Sequence, residues 1–503
     1  MATPRLHPIM FAGTGSDVGK SVIAAAFCRI FKQDGFRPAP FKAQNMALNS
    51  FATPDGLEIG RAQAVQAEAC GVQPHTDMNP ILLKPQSDRT CQVVLNGRVY
   101  GNKDAYSYFK KEGREVFREA VNEAFGRLRE RYNPVVMEGA GSISEINLRD
   151  TDLVNMPMAV YADADVILVA DIDRGGVFAS AYGSIMLQRP EDRKRIKGII
   201  VNKFRGDIRL FETGVKMMEE ICGVPVLGVI PYFRGIHIEE EDSLQLEHKR
   251  RSAGDADKVN VAVVMLRHMS NFTDFDALEQ DPRVTLFYTN NVQDLESADV
   301  IVIPGTKNTI ADIMELRRNG MAQALMRARR EGKTILGICG GYQIMGNVVY
   351  DPNHVEGITD SMPGLGLLPV STIMNGDKTT RQSAFTFIND DKDTMEGYEI
   401  HNGDTTPVDG VEASPLFVRT DGTTDGYLLN DRCMGTYMHG VLDNHRFVDF
   451  LLAPYKDKTA GAAHIVDYKQ FKEEQYDLLA DHVRKHVDMS KLYEILTDDG
   501  RSL

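Results

Sequence analysis

The chain has 503 residues, of which 43% are hydrophobic and 25% charged, and its formal net charge is −14. This composition is typical of a globular protein of about two to four domains, and the acidic balance argues against nucleic acid as the main partner, because phosphate binding requires a basic surface. Its six cysteines form no metal-type cluster, and the sequence has neither a signal-peptide pattern nor an apolar stretch of ~20 residues, so we expect a cytoplasmic protein without a membrane segment.

Apolar, β-branched segments alternate with helix-length segments through the first half of the chain. Alternation of this kind predicts βαβ units and a parallel sheet. The helix-length segments include residues 22–31 and 105–131. The predicted strands cover residues 9–11, 38–41, 134–137, 166–170, 198–201 and 226–229.

A second α/β pattern follows a change in composition after Pro231. Residues 239–258 are dense in charge and poor in apolar side chains, which indicates a linker, although a solvated helix would have the same composition. Strands are then predicted at 259–264, 300–303, 334–338 and 435–438. We therefore expect a first α/β domain, a linker, a second α/β domain and a helical C-terminal tail, over residues 1–238, 239–258, 259–450 and 451–503.

A glycine-rich loop between the first predicted strand and the helix at 22–31 has the features of a phosphate-binding loop. Backbone N–H groups of such a loop converge on phosphate oxygens, the lysine adds a positive charge, and the next hydroxyl is a ligand for Mg²⁺. Five residues separate Gly13 from Gly19, one more than in the standard Walker pattern. The loop residues expected to bind the nucleotide are Gly13, Thr14, Ser16, Asp17, Val18, Gly19, Lys20 and Ser21, with Ser21 also a metal ligand.

The loop resembles that of the dethiobiotin synthetase family, whose pattern is Gly-Thr-x-x-x-Val-Gly-Lys-Thr/Ser. Residues 135–141 are similar to the family's strand that ends in Glu-Gly-Ala-Gly. The resemblance implies that the loop binds ATP, that a carboxylate is phosphorylated, and that Glu138 holds Mg²⁺, a role that suits a carboxylate at the end of a parallel strand. It also implies that Lys42 lies near the phosphates, unless it is a solvent lysine, and that Asn202 contacts adenine.

Cys339 lies between glycines, directly after the predicted strand at 334–338 and before a helical pattern. A strand that turns sharply into a helix through Gly-x-Cys-Gly-Gly is typical of a nucleophile elbow. The N-terminus of the helix carries partial positive charge, which favours a thiolate. A buried structural cysteine is the alternative, and the surrounding glycines argue against it.

The elbow resembles that of class I glutamine amidotransferases, which implies that Cys339 is the nucleophile and His439 its base. The resemblance breaks at Val441, because many members of the class have a glutamate two residues after the histidine. We therefore expect either a Cys–His dyad with a low intrinsic glutaminase rate or an acid from elsewhere, with Glu399 as a speculative substitute. The backbone N–H groups of Gly340 and Gly305 are the expected oxyanion donors.

A carboxylate-activating domain followed by a glutaminase domain predicts an amide synthase. Several long motifs resemble the cobyric acid synthase family, and the resemblance covers nearly the whole chain. It implies amidation of the b, d, e and g carboxylates of adenosylcobyrinic acid a,c-diamide, with ATP, Mg²⁺, glutamine and a corrinoid as cofactors and substrates. The motifs cover residues 40–50, 58–64, 78–85, 171–179 and 397–401.

Four residues in these motifs are candidates for binding the corrinoid: Arg61, Lys84, Asp173 and Arg174. The three basic side chains are suitable partners for carboxylates in an otherwise acidic protein, although surface or structural ion pairs are an equal alternative. Two other functions stay open at this stage: a cobyrinic acid a,c-diamide synthase with the same two domains, and a regulatory protein with an inactive glutaminase domain. The oligomeric state is also open.

Overall fold

The computed structural model describes residues 4–86, 90–104, 108, 114–239, 254–388, 390–459 and 467–497. Most of the predicted linker lies outside the described residues, as does the first part of the helix predicted at 105–131. The described part of that helix is Glu115–Arg131.

The first domain is built on a six-stranded sheet in which neighbouring strands run parallel. Side chains alternate between two apolar cores, so that Ile9 and Phe11 face one core while Met10 and Ala12 face the other. A sheet buried on both faces explains why its strands are nearly continuous apolar runs. All six predicted strands of this half are present, in the sheet order Val226–Pro231, Ile196–Phe204, Asp165–Asp171, Ile9–Gly13, Val135–Glu138 and Ala39–Phe41.

Helices connect these strands, as parallel pairing requires. The first of them continues the glycine-rich loop and buries an apolar stripe that includes Ile23, Phe27 and Ile30. The α-helices of the first domain are Lys20–Gln33, Arg61–Cys70, Glu115–Arg131, Met156–Ala162, Val177–Met186, Pro190–Arg193 and Glu212–Cys222, with 3₁₀ turns at Thr76–Met78, Ile146–Thr151 and Ile208–Phe211.

Two small sheets in the first domain were not predicted. Three of their strands have only three residues each, too few for a pattern of alternating apolar residues to stand out. Ile81–Pro85 and Thr90–Leu95 are longer and largely buried. The pair Ser50–Ala52 and Glu58–Gly60 is antiparallel and reaches the second domain, where the Ser50 N–H donates to the side chain of Asn271. The larger sheet has the order Gln44–Met46, Ile81–Pro85, Thr90–Leu95 and Arg98–Asp104.

The second domain has its own six-stranded sheet, parallel except for one edge strand. The strand predicted at 435–438 begins and ends two residues earlier. In sheet order the strands are Val284–Thr289, Val259–Val264, Val300–Ile303, Thr334–Ile338, Cys433–Thr436 and Tyr427–Asn430. The α-helices are Asp276–Glu279, Thr309–Arg318, Met321–Arg330, Gly340–Met345, His445–Leu452 and Lys456–Thr459, with 3₁₀ turns at Phe272–Phe275, Val292–Glu296, Val441–Asp443 and Ala453–Tyr455.

A further sheet in the second domain is organised by a long antiparallel hairpin, Val370–Phe387 with Asp390–Pro407. The hairpin touches the first domain, since the side-chain amide of Gln382 donates to the carbonyl of Ala52 at 3.0 Å. The other strands of this sheet are Val348–Tyr350, Ser361–Pro363, Phe417–Arg419 and Thr424–Asp425.

Two C-terminal helices, Tyr468–His486 and Met489–Thr497, return to the first domain. Their residues Leu479, Val483 and Leu492 are buried in the same apolar core as the first helix. The helical tail predicted from the apolar stripe thus completes an apolar core to which the N-terminal helix Lys20–Gln33 also contributes. Among the described residues, no helix combines the length and the apolar character needed to cross a membrane.

Candidate functional site

The glycine-rich loop lies at the carboxyl end of the first strand, where parallel sheets bind ligands. Gly19 has a φ of +95°, and a methyl group there would lie 2.3 Å from Nδ2 of Asn202, so glycine is strongly favoured. The buried Lys20 donates to the carbonyl oxygens of Gly15 and Gly141 at 2.8 and 2.9 Å. The loop therefore has the backbone form and the ammonium group that phosphate binding requires.

Glu138 is the centre of a buried polar cluster beside this loop. Its carboxylate accepts hydrogen bonds from the Ser21 hydroxyl at 2.8 Å, the Lys42 ammonium at 2.8 Å and the Gln66 amide at 2.7 Å. Burial by itself would raise the pKa of Glu138, but the charge of Lys42 and the hydrogen bonds outweigh it and lower the pKa. The carboxylate is therefore ionised.

The pair of Ser21 and Glu138 fits a magnesium ion. Both supply hard oxygen atoms, and Mg²⁺ is usually held by one or two carboxylates together with substrate phosphates and water. Within the described ranges, no group of three or more His, Cys, Asp or Glu side chains forms a self-sufficient metal cage. A metal bound here would therefore depend on the nucleotide for its remaining ligands.

Asn202 lies within the strand Ile196–Phe204, near its carboxyl end, and is buried. Its amide nitrogen donates to the carbonyl of Val18 at 2.9 Å, while its Oδ1 has no hydrogen-bond partner among the described residues. A buried acceptor without a partner is uncommon and marks a position where a ligand donor is expected. The adenine contact implied for Asn202 stays a prediction.

A cavity of about 690 Å³ opens over the loop and the Glu138 cluster. Gly13, Thr14 and Val18 do not line it. Of the predicted nucleotide and metal residues, those that line it are Ser16, Asp17, Gly19, Lys20, Ser21, Lys42, Glu138 and Asn202. Its other basic side chains, which the motifs did not indicate, are Arg114, Arg149 and Lys203.

None of the four residues expected to bind the corrinoid lines this cavity. Asp173 and Arg174 are exposed and bond to other side chains, with Arg205 donating to Asp173 at 2.7 Å. Arg61 is buried and donates to Glu239 at 2.6 Å. Lys84 is buried at the boundary with the second domain. Arg61 and Arg174 bond to Glu239 and Asp17, which do line the cavity, so these two positions lie next to it.

In the second domain, Cys339 occupies a strained turn between a strand and a short helix. Its φ and ψ are +51° and −112°, an unusual conformation for a residue with a side chain. A methyl group at Gly341 would lie 1.9 Å from the carbonyl oxygen of Ile303, so the helix can approach the sheet only if it begins with glycine. This is the geometry of a nucleophile elbow.

His439 lines the same small cavity as Cys339 and is hydrogen-bonded to Asp274, and all three are buried. The His439 Nδ1 lies 2.7 Å from Oδ2 of Asp274, whose Oδ1 accepts from the Gly440 N–H at 3.0 Å. Burial opposes the charged ring, but the charges of Asp274 and Cys339 outweigh burial and raise the pKa of His439 to about 10. The three side chains are arranged in the order of a nucleophile–base–acid triad.

The expectation of a dyad, or of Glu399 as its acid, is wrong. Glu399 is buried between two guanidinium groups, from Arg419 at 2.8 Å and Arg381 at 2.9 Å, and it has a structural role. Asp274 comes instead from a 3₁₀ turn after the strand Val259–Val264, 165 residues before the histidine. The missing glutamate at position 441 therefore leaves no gap in the triad.

The proposed oxyanion donors are close to these catalytic groups. A methyl group at Gly305 would lie 3.2 Å from Cε1 of His439. A methyl group at Gly340 would lie 2.9 Å from the backbone nitrogen of Thr306, the residue after Gly305. The two glycines thus bring the loop after strand Val300–Ile303 against the elbow, as expected.

Comparison with known proteins agrees with this arrangement of domains. Residues 9–245 match the profile of the CobQ/CobB/MinD/ParA nucleotide binding domain, and residues 260–447 match that of the CobB/CobQ-like glutamine amidotransferase domain. Cobyric acid synthase of Bacteroides fragilis is 68% identical over 494 residues, which are 98% of this chain and 99% of that protein. The chain belongs to the cobyric acid synthase family.

Membership of the cobyric acid synthase family confirms the predicted fold class and shows that the chain is a glutamine-dependent, amide-forming ligase of cobalamin biosynthesis. Cobyric acid synthase of Phocaeicola vulgatus is 67% identical, covering 98% of this chain and 99% of that one, and the protein from Syntrophobacter fumaroxidans is 48% identical, covering 98% and 99%. Among solved structures, PurLQS from Thermotoga maritima is 16% identical with a TM-score of 0.31, over 40% of this chain and all of that one.

Proposed function

We propose that this chain amidates the b, d, e and g carboxylates of adenosylcobyrinic acid a,c-diamide, with ATP and glutamine, to give adenosylcobyric acid. The observation that carries the proposal is the presence of two complete centres in one chain. One has a phosphate loop with an ionised glutamate, and the other has a Cys–His–Asp triad. A regulatory protein with an inactive glutaminase has no need of an intact triad.

In the second domain, Cys339 is the nucleophile and His439 its base. His439 accepts the thiol proton at Nε2, because its Nδ1 is held by Asp274. The sulfur attacks the side-chain amide carbon of glutamine, and N–H groups of Gly340 and Gly305 stabilise the oxyanion. His439 then returns the proton to the leaving nitrogen, ammonia departs, and water hydrolyses the thioester to glutamate.

In the first domain, the loop and Lys20 hold the phosphates of ATP, and Asn202 is proposed to contact the adenine ring. A corrinoid carboxylate oxygen attacks the terminal phosphorus, ADP leaves, and an acyl phosphate forms. Ammonia then displaces phosphate from the acyl carbon to give the amide. Lys42 lies where it can stabilise charge that develops on the transferred group.

Ser21 and Glu138 are the proposed ligands of a magnesium ion bound with the nucleotide. The ion, when bound, would neutralise charge on the phosphates. In the present arrangement Lys42 and Gln66 also hold Glu138, so the carboxylate is already oriented toward Ser21. The basic residues of the cavity, above all Arg114 and Arg149, are the suitable partners for corrinoid carboxylates.

The test is a product count by mass spectrometry with ATP, Mg²⁺, glutamine and adenosylcobyrinic acid a,c-diamide. We expect four new amides in each corrinoid and one ATP consumed for each amide. A parallel reaction with cobyrinic acid in place of the diamide distinguishes this activity from that of the related a,c-diamide synthase. Two amides formed on cobyrinic acid, with none formed on the diamide, would contradict the proposal.

A further inference from the structure

A small cavity of about 40 Å³ adjoins Cys339 and His439, and both domains contribute to its walls. Ser50 and Lys84 come from the first domain, on the unpredicted strands described above. Three ammonium groups line it, those of Lys84, Lys307 and Lys378, but Glu356 is the only carboxylate among its lining residues. The mechanism above uses none of these four charged residues.

The Lys84 ammonium is fixed in place. It donates to Oε1 of Glu58 at 2.7 Å and to the Ser50 hydroxyl at 2.8 Å, which leaves its third N–H available. The other carboxylate oxygen of Glu58 binds Lys378, from the long hairpin of the second domain. Two ammonium groups thus share the single carboxylate of Glu58, and the group formed by Glu58, Lys84 and Lys378 has an excess positive charge.

Lys307 adds to this excess. Its side chain has no hydrogen bond or ion pair with any of the described residues, although the backbone N–H is bonded to the carbonyl of His268. Burial and the nearby charge of Lys84 lower the pKa of Lys307 to about 8. Burial and the same neighbour lower the pKa of Lys378 to about 7, against the opposing effect of Glu58. An anion bound in the cavity would favour the charged form of both lysines and so offset the effects that lower their pKa values.

The ligand that the triad acts on carries such an anion. Glutamine is a zwitterion, with an α-carboxylate and an α-ammonium group at the end opposite its reacting amide. Glu356 also lines the cavity. Its carboxylate accepts hydrogen bonds from the Thr309 hydroxyl and the Ile310 N–H, both at a long 3.3 Å. One cavity therefore has a reacting end at Cys339, an excess of ammonium groups and a single carboxylate.

We propose that Lys84 and Lys307, backed by Lys378, bind the α-carboxylate of glutamine, and that Glu356 binds its α-ammonium group. The glutamine site is then completed by a residue of the first domain. This inference rests on the glutaminase half of the proposed function and names the groups that recognise its substrate. The cavity is smaller than glutamine, so binding requires one wall to move, and the loop that carries Glu356 borders solvent, with Ile358 95% exposed.

Lys84 depends on the contact between domains for its position. The N–H of Ser50 donates to the side-chain oxygen of Asn271 at 3.1 Å, and the Asn271 amide donates back to the Ser50 carbonyl at 3.3 Å. Asn271 begins the turn that carries the triad residue Asp274. One contact thus places both the carboxylate-binding lysine and the turn that orients the base.

The experiment compares two substrates in the full-length protein, L-glutamine and L-glutamine α-amide, which lacks the α-carboxylate. Ammonia release is measured with each. The wild type should have a KM about 10- to 100-fold higher for the α-amide, the value of one or two charged hydrogen bonds. Lys84→Met should raise the KM for glutamine about 10-fold or more and leave that for the α-amide nearly unchanged, so that the discrimination falls toward one.

Lys307→Met is the second variant. Removal of the Lys307 ammonium leaves no protein group without its partner among the described residues, so this variant should fold. Lys472→Met is the matched control: Lys472 is a partly buried lysine that pairs with Glu68 at 2.8 Å but lies outside the cavity. We expect it to keep wild-type discrimination. Unchanged discrimination in both cavity variants, or equal loss in the control, would overturn the proposal.

A corrinoid role for Lys84 gives a different result. In that case Lys84→Met would raise the KM for the corrinoid with ammonium chloride as nitrogen source and leave the KM for glutamine unchanged, which also overturns the proposal. Failure of the proposed function would be seen in a different measurement, because the wild type would then form no amide products with ammonium chloride. The comparison of glutamine with its α-amide measures only ammonia release and does not depend on a corrinoid product.

Discussion

Replacement of Asp274 by asparagine is the most direct test of the triad. The carboxylate holds Nδ1 of His439 at 2.7 Å and the Gly440 N–H at 3.0 Å, so Nε2 is the nitrogen left to accept the thiol proton. An asparagine of the same shape can turn its NH₂ group toward Nδ1. The ring would then be protonated at Nε2 and could not act as a base.

The magnitude follows from the charge that Asp274 stabilises. The pKa of His439 is about 10 instead of 6.5, which at about 1.4 kcal/mol per tenfold change corresponds to about 5 kcal/mol in favour of the imidazolium, shared between Asp274 and Cys339. We expect Asp274→Asn to lower kcat for glutamine by about 10²- to 10⁴-fold, the range for a lost triad acid. Because the unprotonated ring is the base and its pKa would fall, the acid limb of the rate profile should move to lower pH.

The assay is glutamate release against pH, with amidation from ammonium chloride as the control for folding and for the first domain. Glu399→Gln is the matched variant, since Glu399 is equally buried and was the acid expected from the motif. A rate for Asp274→Asn within about threefold of wild type, together with a large loss in Glu399→Gln, would refute the assignment of the acid.

Three further outcomes are expected. Cys339→Ala should abolish amidation from glutamine and retain amidation from ammonium chloride, and glutamine-driven turnover in that variant would exclude Cys339 as the nucleophile. Glu138→Gln, or removal of divalent metal with EDTA, should lower ATP turnover with either nitrogen source, and an effect limited to glutamine would contradict a role for Glu138 in the metal site. Glu399→Gln should lower the free energy of unfolding by about 3–5 kcal/mol, measured by urea unfolding, since Arg419 loses the nearer of its two buried carboxylate partners. Because the pKa of Glu399 is lowered in the fold, the wild type should lose this contribution as the pH falls below the pKa of an ordinary glutamate.

Sequence patterns predicted the two parallel sheets because their strands are buried on both faces and are therefore continuous apolar runs. The hairpin Val370–Phe387 with Asp390–Pro407 was missed because its residues are mostly half-buried and polar. The elbow and the phosphate loop were recognisable because glycines and a lysine must occur at fixed spacing. The sheets, the elbow and the phosphate loop could all be predicted because each depends on residues that are close together in the sequence.

The triad acid and the partners of Lys84 were not predicted, because both depend on contacts between distant segments. Asp274 had one usable signal: it follows a buried strand that pairs with the strand before Gly305, which in turn pairs with the strand before Cys339. Lys84 had none, since a lysine in a short strand does not show that Glu58, Ser50 and the second domain will surround it.

The return of the C-terminal helices to the first domain has a consequence for how the protein is made. The apolar stripe of the first helix is covered by Leu479, Val483 and Leu492, which a ribosome adds more than 400 residues after that helix. At ~5–20 residues per second, this surface stays open for roughly 20–90 s of translation. The first domain, although synthesised first, can finish folding only after the last residues of the chain have emerged.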